Sequence, residues 1–528
     1  MHLFYFDPFM FEQERSDTGT SFRLCSLRLF DHPILHNINL NFCDENDSSN
    51  NVYTTVIIGE NGIGKSCLLG ALAEILCYLE KLKLRIITIP PRYYFDLVYK
   101  LNNRRIKFTN FMGDCPKEGR KIFTHSYLQS NGIKASIDVI ELPQRVIASA
   151  STITDKFVAK STEIYRYKGL RNENSPSTTG TKTMVRKTVL SLLESLDVKS
   201  GFRQELKDLL KYLKLSPRLE LSYRLTNAKY LINKNIEANN IKDLLEKRKK
   251  RNDGDRDDYH VRDYRLSVWG EREQERIVNE DELRQCQLVA DFCRKLSMRQ
   301  GQDNYLRYNL LEEGNKVCED KEALKALDSM RLLSYPSLKV FKKNDGYEFD
   351  NSSSGESSLF CQLVNIMSVI EPGSMILVDE PECSTHPNWQ TKYINWLEHI
   401  FQKYNTCHFI ISTHSHLLLS DLKDDSSSII ALARDKETGK IINMSEGLNT
   451  YGWSTDDILY EVFGIRNKHN KALERDLERA FVLLEKNGPV SQDELQMIVA
   501  RFNKVYCGVR DPLGALIQEI NEYVKSRS

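Results

Sequence analysis

The 528-residue sequence is short of several things, and each shortage bears on a class of function. No stretch comes near 18 uninterrupted apolar residues, so no membrane partner is expected. The 12 cysteines are scattered, with no C-x-x-C pair and no regular spacing. That argues against a zinc ribbon or disulfide scaffold and suits a reducing, cytoplasmic setting. Charge of one sign is lacking too. Lys and Arg number 74 against 73 Asp and Glu, for a net charge of +1, so any nucleic-acid contact must come from a local patch. The aromatic N-terminus MHLFYFDPFMFEQE has no Lys or Arg before its apolar part, unlike a signal peptide, and is expected to form an ordered edge of the fold. There is no internal repeat, no histidine–asparagine–histidine nuclease constellation, and no second acidic cluster after His414. What remains is ordinary globular composition, 41% hydrophobic and 28% charged, at a length suited to two to four domains.

Within it, TTVII at 54–58 has the β-branched profile of a buried strand. GENGIGKS follows at 59–66, and then CLLGALAEILCYLEKL, a helix buried along one face. Strand, glycine loop and helix in this order are the context that G-x-x-x-x-G-K-[ST] requires. Gly59, Gly62 and Gly64 let the backbone curl, so that the N–H groups of the loop, with Glu60, Asn61 and Ile63 between the glycines, turn toward phosphate oxygens. Lys65 is expected on the β- and γ-phosphates of ATP, and Ser66 is expected to offer its hydroxyl to Mg²⁺.

A second apolar run, MILV at 375–378, delivers Asp379 and Glu380 at a strand's C-terminal end, the edge where ligands sit in open α/β sheets. Asp379 suits the metal-organising role, and Glu380 is placed to polarise a water in line with the γ-phosphate. Alone, the run could be a buried strand that ends in a solvated acidic turn; the phosphate loop upstream favours the functional reading. A third strand, HFIIS at 408–412, runs into THSH, which places His414 to sense the γ-phosphate. A metal pair of His414 with His416 is a weaker alternative, because no third ligand is nearby; a surface loop is another.

Phosphate loop, SSSGES at 352–357, DEPE at 379–382 and STHS at 412–415, in this order, resemble the ABC-type ATPases of the RecF, Rad50 and SMC lineage. Ser353, Ser354, Gly355 and Glu356 match the S-S-G-E of that family's signature motif, while Ser352 stands where leucine is usual. The resemblance implies an α/β, ABC-type P-loop head of two lobes, a mixed sheet with flanking helices, and the signature serine and glycine closing on a sister subunit's ATP. A homodimer or higher homo-oligomer held through ATP follows from it. HPNWQ at 386–390, LPQRVIASASTITDKF at 142–157, IYRYKGLR at 164–171 and TYGWSTDDILYEVFG at 450–464 are similar to the ATPase subunit of Septu-type antiviral systems (PtuA-like), including those attached to retrons. That similarity implies a separately encoded HNH nuclease partner (PtuB-like) and, in retron-attached members, a reverse transcriptase with its RNA–DNA hybrid. The alternative is a RecF-like DNA-repair clamp that loads on DNA with no nuclease.

Four segments are expected: a first ATPase lobe over 1–184 with the phosphate loop, a helical insertion over 185–335, a second lobe over 336–451 with signature, Walker B and switch histidine, and a helical partner-docking tail over 452–528. YFDLVYKLNNRRIKF at 94–108 predicts a hairpin turning at Asn102-Asn103, and KVFKKNDGYEF at 339–349 predicts another at Asp345-Gly346. The basic run at 247–251 is followed by four aspartates within seven residues, and reads either as a solvated loop or as a nucleic-acid or nuclease contact. No glutamine stands out for the Q-loop.

Overall fold

A computed structural model describes residues 20–43, 51–86, 88–111, 129–130, 133–134, 141–171, 181–254, 280–299, 304–312, 314–342, 345–349, 354–435, 437–444, 450–459, 471–485, 489–503 and 512–527. The N-terminal stretch 1–19 expected to form an edge and Ser352–Ser353 lie outside them.

The β-branched run of Tyr53–Gly59 is buried over nearly its whole length because it is a central strand with a parallel neighbour on each side. It belongs to a seven-stranded sheet in the order Ile441–Asn443, Ser427–Arg434, Tyr53–Gly59, His408–Ser412, Met375–Asp379, Val146–Ala150, Tyr165–Tyr167. All neighbours are parallel except the first pair, whose antiparallel hairpin closes one edge. Met375–Asp379 and His408–Ser412 are buried at every position, which explains their unbroken apolar spelling. In register, Asp379 faces Ser412 on one side and Ala150 on the other.

This sheet takes strands from both sides of the 185–335 segment, so 1–184 and 336–451 contribute to one sheet within the unit Met1–Ile458. The helix Lys65–Lys83 springs from the central strand and packs its leucines into a core shared with a second, antiparallel sheet. That sheet pairs Phe22–His32 with His36–Asn41 and Tyr94–Leu101, and Tyr94–Leu101 with Arg104–Thr109. The 94–109 hairpin turns at Asn102 and Asn103, both at positive φ (51° and 62°), as a tight two-residue connection requires. A buried neutral His408 ties the two sheets together. Its Nδ1 accepts from Leu24 N at 3.0 Å and its Nε2 meets Thr55 Oγ1 at 2.8 Å, while burial holds its pKa well below the usual imidazole value.

Helices dominate 185–335, as the apolar spacing predicts, but the segment also supplies two strands. Leu219–Arg224 and Tyr305–Asn309 join Ser337–Lys342 and Asp345–Glu348 in a four-stranded antiparallel sheet. Asp345 and Gly346 sit inside the last strand, paired with Lys342 and Phe341, and not at a turn as their dipeptide spelling implied. The basic run 247–251 belongs to the helix Ala238–Gly254 rather than to a loop; residues 255–265 lie outside the described set. Chain contacts divide the molecule after Ile458, a few residues beyond the expected boundary, because the capping box of Ser454 and Asp457 starts a short helix that stays with the larger unit. Residues 459–528 form their own unit, in which the described residues make three helices around Ala480, Ile498, Phe502 and Ile520.

Candidate functional site

The phosphate loop joins the central strand to its helix through a backbone that only glycine adopts without strain. Gly62 and Gly64 have φ of 76° and 108°, and a Cβ on Gly64 would come 2.6 Å from Leu35 Cδ2. Ile63 is buried and anchors the loop, leaving Glu60, Asn61 and Gly62 exposed at its rim. Lys65, 4% exposed, curls back over the loop. Its Nζ donates to Gly59 O at 2.8 Å and Glu60 O at 3.2 Å, and lies 3.0 Å from His414 Nδ1. Burial pushes the Lys65 ammonium down to about 8, opposed by the fields of Glu380, Glu382 and Asp379.

Asp379 ends its strand 1% exposed, and its Oδ1 accepts from Ser66 Oγ at 3.0 Å and from Ser412 Oγ. Burial raises its pKa to about 6, although both hydroxyls favour the charged form. Glu380 follows in the left-handed region, φ 49°, with its backbone N–H donating to Ser412 O at 3.0 Å. That turn aims its carboxylate at His414, with Nε2 to Oε1 at 3.4 Å, and the contact holds the Glu380 carboxyl below its usual pKa. Since the ammonium of Lys65 donates to Nδ1, His414 carries its proton on Nε2, the nitrogen that faces Glu380. Lys65, His414 and Glu380 therefore form one hydrogen-bonded line.

The parts that hold His414 were not legible in the sequence. Glu382, the last acid of DEPE, accepts the backbone N–H of His414, and burial raises its pKa. HPNWQ is a brace: His386 caps the short helix Pro387–Gln390 through Asn388 N at 3.2 Å, and Pro387 fills its first position. Gln390 then accepts from Ser415 Oγ at 2.7 Å and donates to Thr385 O at 3.0 Å. The strand Val146–Ala150 ends in Ser151, whose hydroxyl accepts from Gln362 at 3.3 Å. Gln362 in turn accepts from Tyr393 OH at 2.8 Å.

The signature residues stand apart from this line. Ser353 lies outside the described residues and Ser354 begins the helix Ser354–Val369. Gly355 packs on the turn after DEPE, where a Cβ would collide with the carbonyl oxygen of Ser384. Glu356, next along the helix, borders a cavity on the other side of that turn. The helix is clasped by Thr181–Val198, through Asn365 Nδ2 to Thr188 Oγ1 at 3.1 Å and Ser195 Oγ to Ser368 O at 3.1 Å.

A family profile described as "AAA domain, putative AbiEii toxin, Type IV TA system" matches residues 54–420, from the phosphate-loop strand to just past His414. The chain belongs to that AAA family. No curated protein matches it. Among solved structures, this AAA chain is similar to the SMC head domain from Thermotoga maritima, at 11% identity and a TM-score of 0.34 over 80% of this chain and 98% of that one. It is similar to the SmcHead bound to the C-winged helix domain of ScpA, at 12% identity and a TM-score of 0.35 over 80% and 97%. It is also similar to the recombination mediator RecF with ATP, at 16% identity and a TM-score of 0.26 over 79% and 97%. Similarities this low carry nothing about activity. The α/β head with its mixed sheet, inserted helices and helical tail rests on the strand order and helix placement of the AAA chain itself.

The donor set of the AAA site fits a nucleotide with a divalent cation. Nothing lies within 4 Å of where a Cβ on Gly62 would sit, so the loop is open at its rim. Ser66 and Asp379 already share a hydrogen bond, which puts a hydroxyl and a carboxylate side by side. No group of three or more His, Cys, Asp or Glu is placed to hold a metal by itself among the described residues, the His414–His416 pair included. A cation here would draw its remaining ligands from phosphate and water.

Proposed function

We propose that this chain is a Mg²⁺-dependent ATPase whose ATP-bound heads pair and thereby control a separately encoded HNH nuclease in a Septu- or retron-type antiviral complex. The observation that carries the ATPase part is the line Lys65–His414–Glu380, which joins the phosphate loop, the switch strand and the acid after Asp379. Lys65 holds the phosphate end and balances its charge, and Ser66 with Asp379 would hold the cation, whose chemistry is to neutralise charge on the phosphate oxygens. Glu380, kept ionised beside His414, accepts a proton from the attacking water. His414, fixed by Glu382 and by the Gln390–Ser415 brace, changes partner when Lys65 turns to phosphate, and so reports the state of the site.

Pairing is supported by the place of Gly355, which within one chain faces its own Ser384 turn. The nuclease partner is supported by the sequence similarities at 142–157, 386–390 and 450–464 and by the absence of a nuclease motif in the chain itself. Light scattering on the Glu380→Gln chain tests the reading. ATP with Mg²⁺ should convert it to a dimer that captures the HNH protein encoded beside it. Lys65→Ala should lose ATP binding and pairing together, whereas Ser353→Arg should keep ATP and lose only pairing. A Glu380→Gln chain that binds ATP and stays monomeric sinks the proposal. ATP-dependent DNA binding with a steep salt slope and no nuclease capture would favour the clamp.

A further inference from the structure

A cavity of about 360 Å³ opens beside the signature helix, within the ~300–1,000 Å³ usual for small-molecule sites. Its walls are aromatic. Trp389 and Trp396 meet edge to face with ring centroids 5.3 Å apart, and Phe360 is stacked on Phe349 at 4.9 Å. Its charge is one-sided. Lys214, Lys342 and Lys392 line it from three separate segments: the turn after the helix Phe202–Tyr212, the strand Ser337–Lys342, and the link between Pro387–Gln390 and Tyr393–Ile400. Among the described residues Glu356 is the one acid in the lining. Among the described residues none of the three lysines has an ion pair or a side-chain hydrogen bond, and all three are exposed. Partly buried indoles still show apolar surface to water, and the three exposed ammonium groups, of which Lys392 also feels the field of Asp421, stand around one carboxylate of the lining.

An apolar ligand would have no use for the lysines, and a bare anion would have no use for the indoles. A planar base that carries a phosphate uses both: stacking on tryptophan with the anion at the lysine rim. We propose that this cavity binds a nucleobase bearing a phosphate, supplied either as a free nucleotide or as the end of a single strand, and that it is separate from the phosphate-loop site. Its lining includes Glu356 of the signature and Trp389 of HPNWQ, the motif whose Gln390 braces the residue after His414. An occupant therefore touches both elements that would change on ATP closure. The inference does not depend on the nuclease reading.

The full chain carrying Lys65→Ala, in which the phosphate loop no longer holds nucleotide, is titrated by calorimetry with thymidine 5′-monophosphate and with a 5′-phosphorylated ten-residue oligothymidylate. Saturable binding of at least one probe is expected. Adding Trp396→Ala should weaken it about ten-fold, while Trp396→Phe should restore most of the affinity. Reversing the exposed lysines as Lys214→Glu, Lys342→Glu and Lys392→Glu should abolish binding and its salt dependence. Equal affinity for the two probes assigns a free nucleotide, and binding of the oligomer alone assigns a strand. Neither probe binding, or both binding regardless of the Trp396 and lysine changes, overturns the proposal. So does exclusive binding of an acidic peptide, which would mark the cavity as a protein groove.

Discussion

Asp379 and Gly355 end up a few residues' reach from the same turn, yet their surroundings are built on opposite plans. Around Asp379 the chain supplies its own partners: two serine hydroxyls, a lysine folded onto its own loop, and a histidine held from both sides. Around Gly355 the backbone is pressed on Ser384, and the adjoining surface opens onto exposed lysines and partly buried tryptophans. The first region is preorganised for charge, with donors and acceptors set before any ligand arrives, which is how buried electrostatics becomes effective. The second offers a methyl-intolerant backbone contact and exposed side chains, and under the proposed pairing its chemistry would be completed by another molecule.

The largest expected effect falls on the first region. Glu380→Gln should slow phosphate release by roughly 10²–10⁴ while leaving ATP affinity near wild type, as measured by coupled phosphate release and nucleotide titration. A variant that turns over at the wild-type rate would show that the carboxylate beside His414 is not the base. Gly355→Ala probes the second region: forcing a methyl into the Ser384 carbonyl should cost about 1–3 kcal/mol in denaturant unfolding. An unchanged midpoint would mean that the signature helix is free to move off the turn.

Asp379→Asn sharpens the contrast through pH. Because burial raises the folded pKa of Asp379 to about 6 from its ordinary value of 3.8, the native chain binds more protons than the unfolded chain between those values, and this residue's contribution to stability falls as pH rises through that window. The asparagine variant, free of the buried charge, should be more stable than wild type by up to about 3 kcal/mol at pH 7 without nucleotide. That gain should vanish toward pH 4. A melting temperature equal to wild type across the range would contradict the buried-charge account. The smallest effect is expected for Gln390→Ala, which removes the brace on Ser415. It should lower turnover several-fold and stability by about 1 kcal/mol, with ATP affinity unchanged, in the same two assays.

Local spelling carried much of this site. The glycine loop, its flanking strand and helix, and the apolar runs before Asp379 and His414 are contiguous signals, and the strands and helices lie where those signals put them. Partners that depend on neighbouring strands were hidden. Ser412 reaches Asp379 only because the two strands run parallel in register, and nothing in HFIIS announces it. HPNWQ reads as a family mark until Gln390 is seen against Ser415. The Asp345-Gly346 dipeptide misled because pairing with Lys342 and Phe341 outweighed its turn preference. The strands inside 185–335 were missed because each is a short alternating run among strong helical periods.

Glu380 is a side chain with a Cβ in a backbone shape that favours glycine, at a cost of roughly 1–2 kcal/mol. A deep substitution scan at this one position should therefore give two opposite rankings. Glycine would head the list for resistance to heat, and glutamate would head the list for turnover, so selection for robustness alone would drive the chain toward a sturdier but idle molecule.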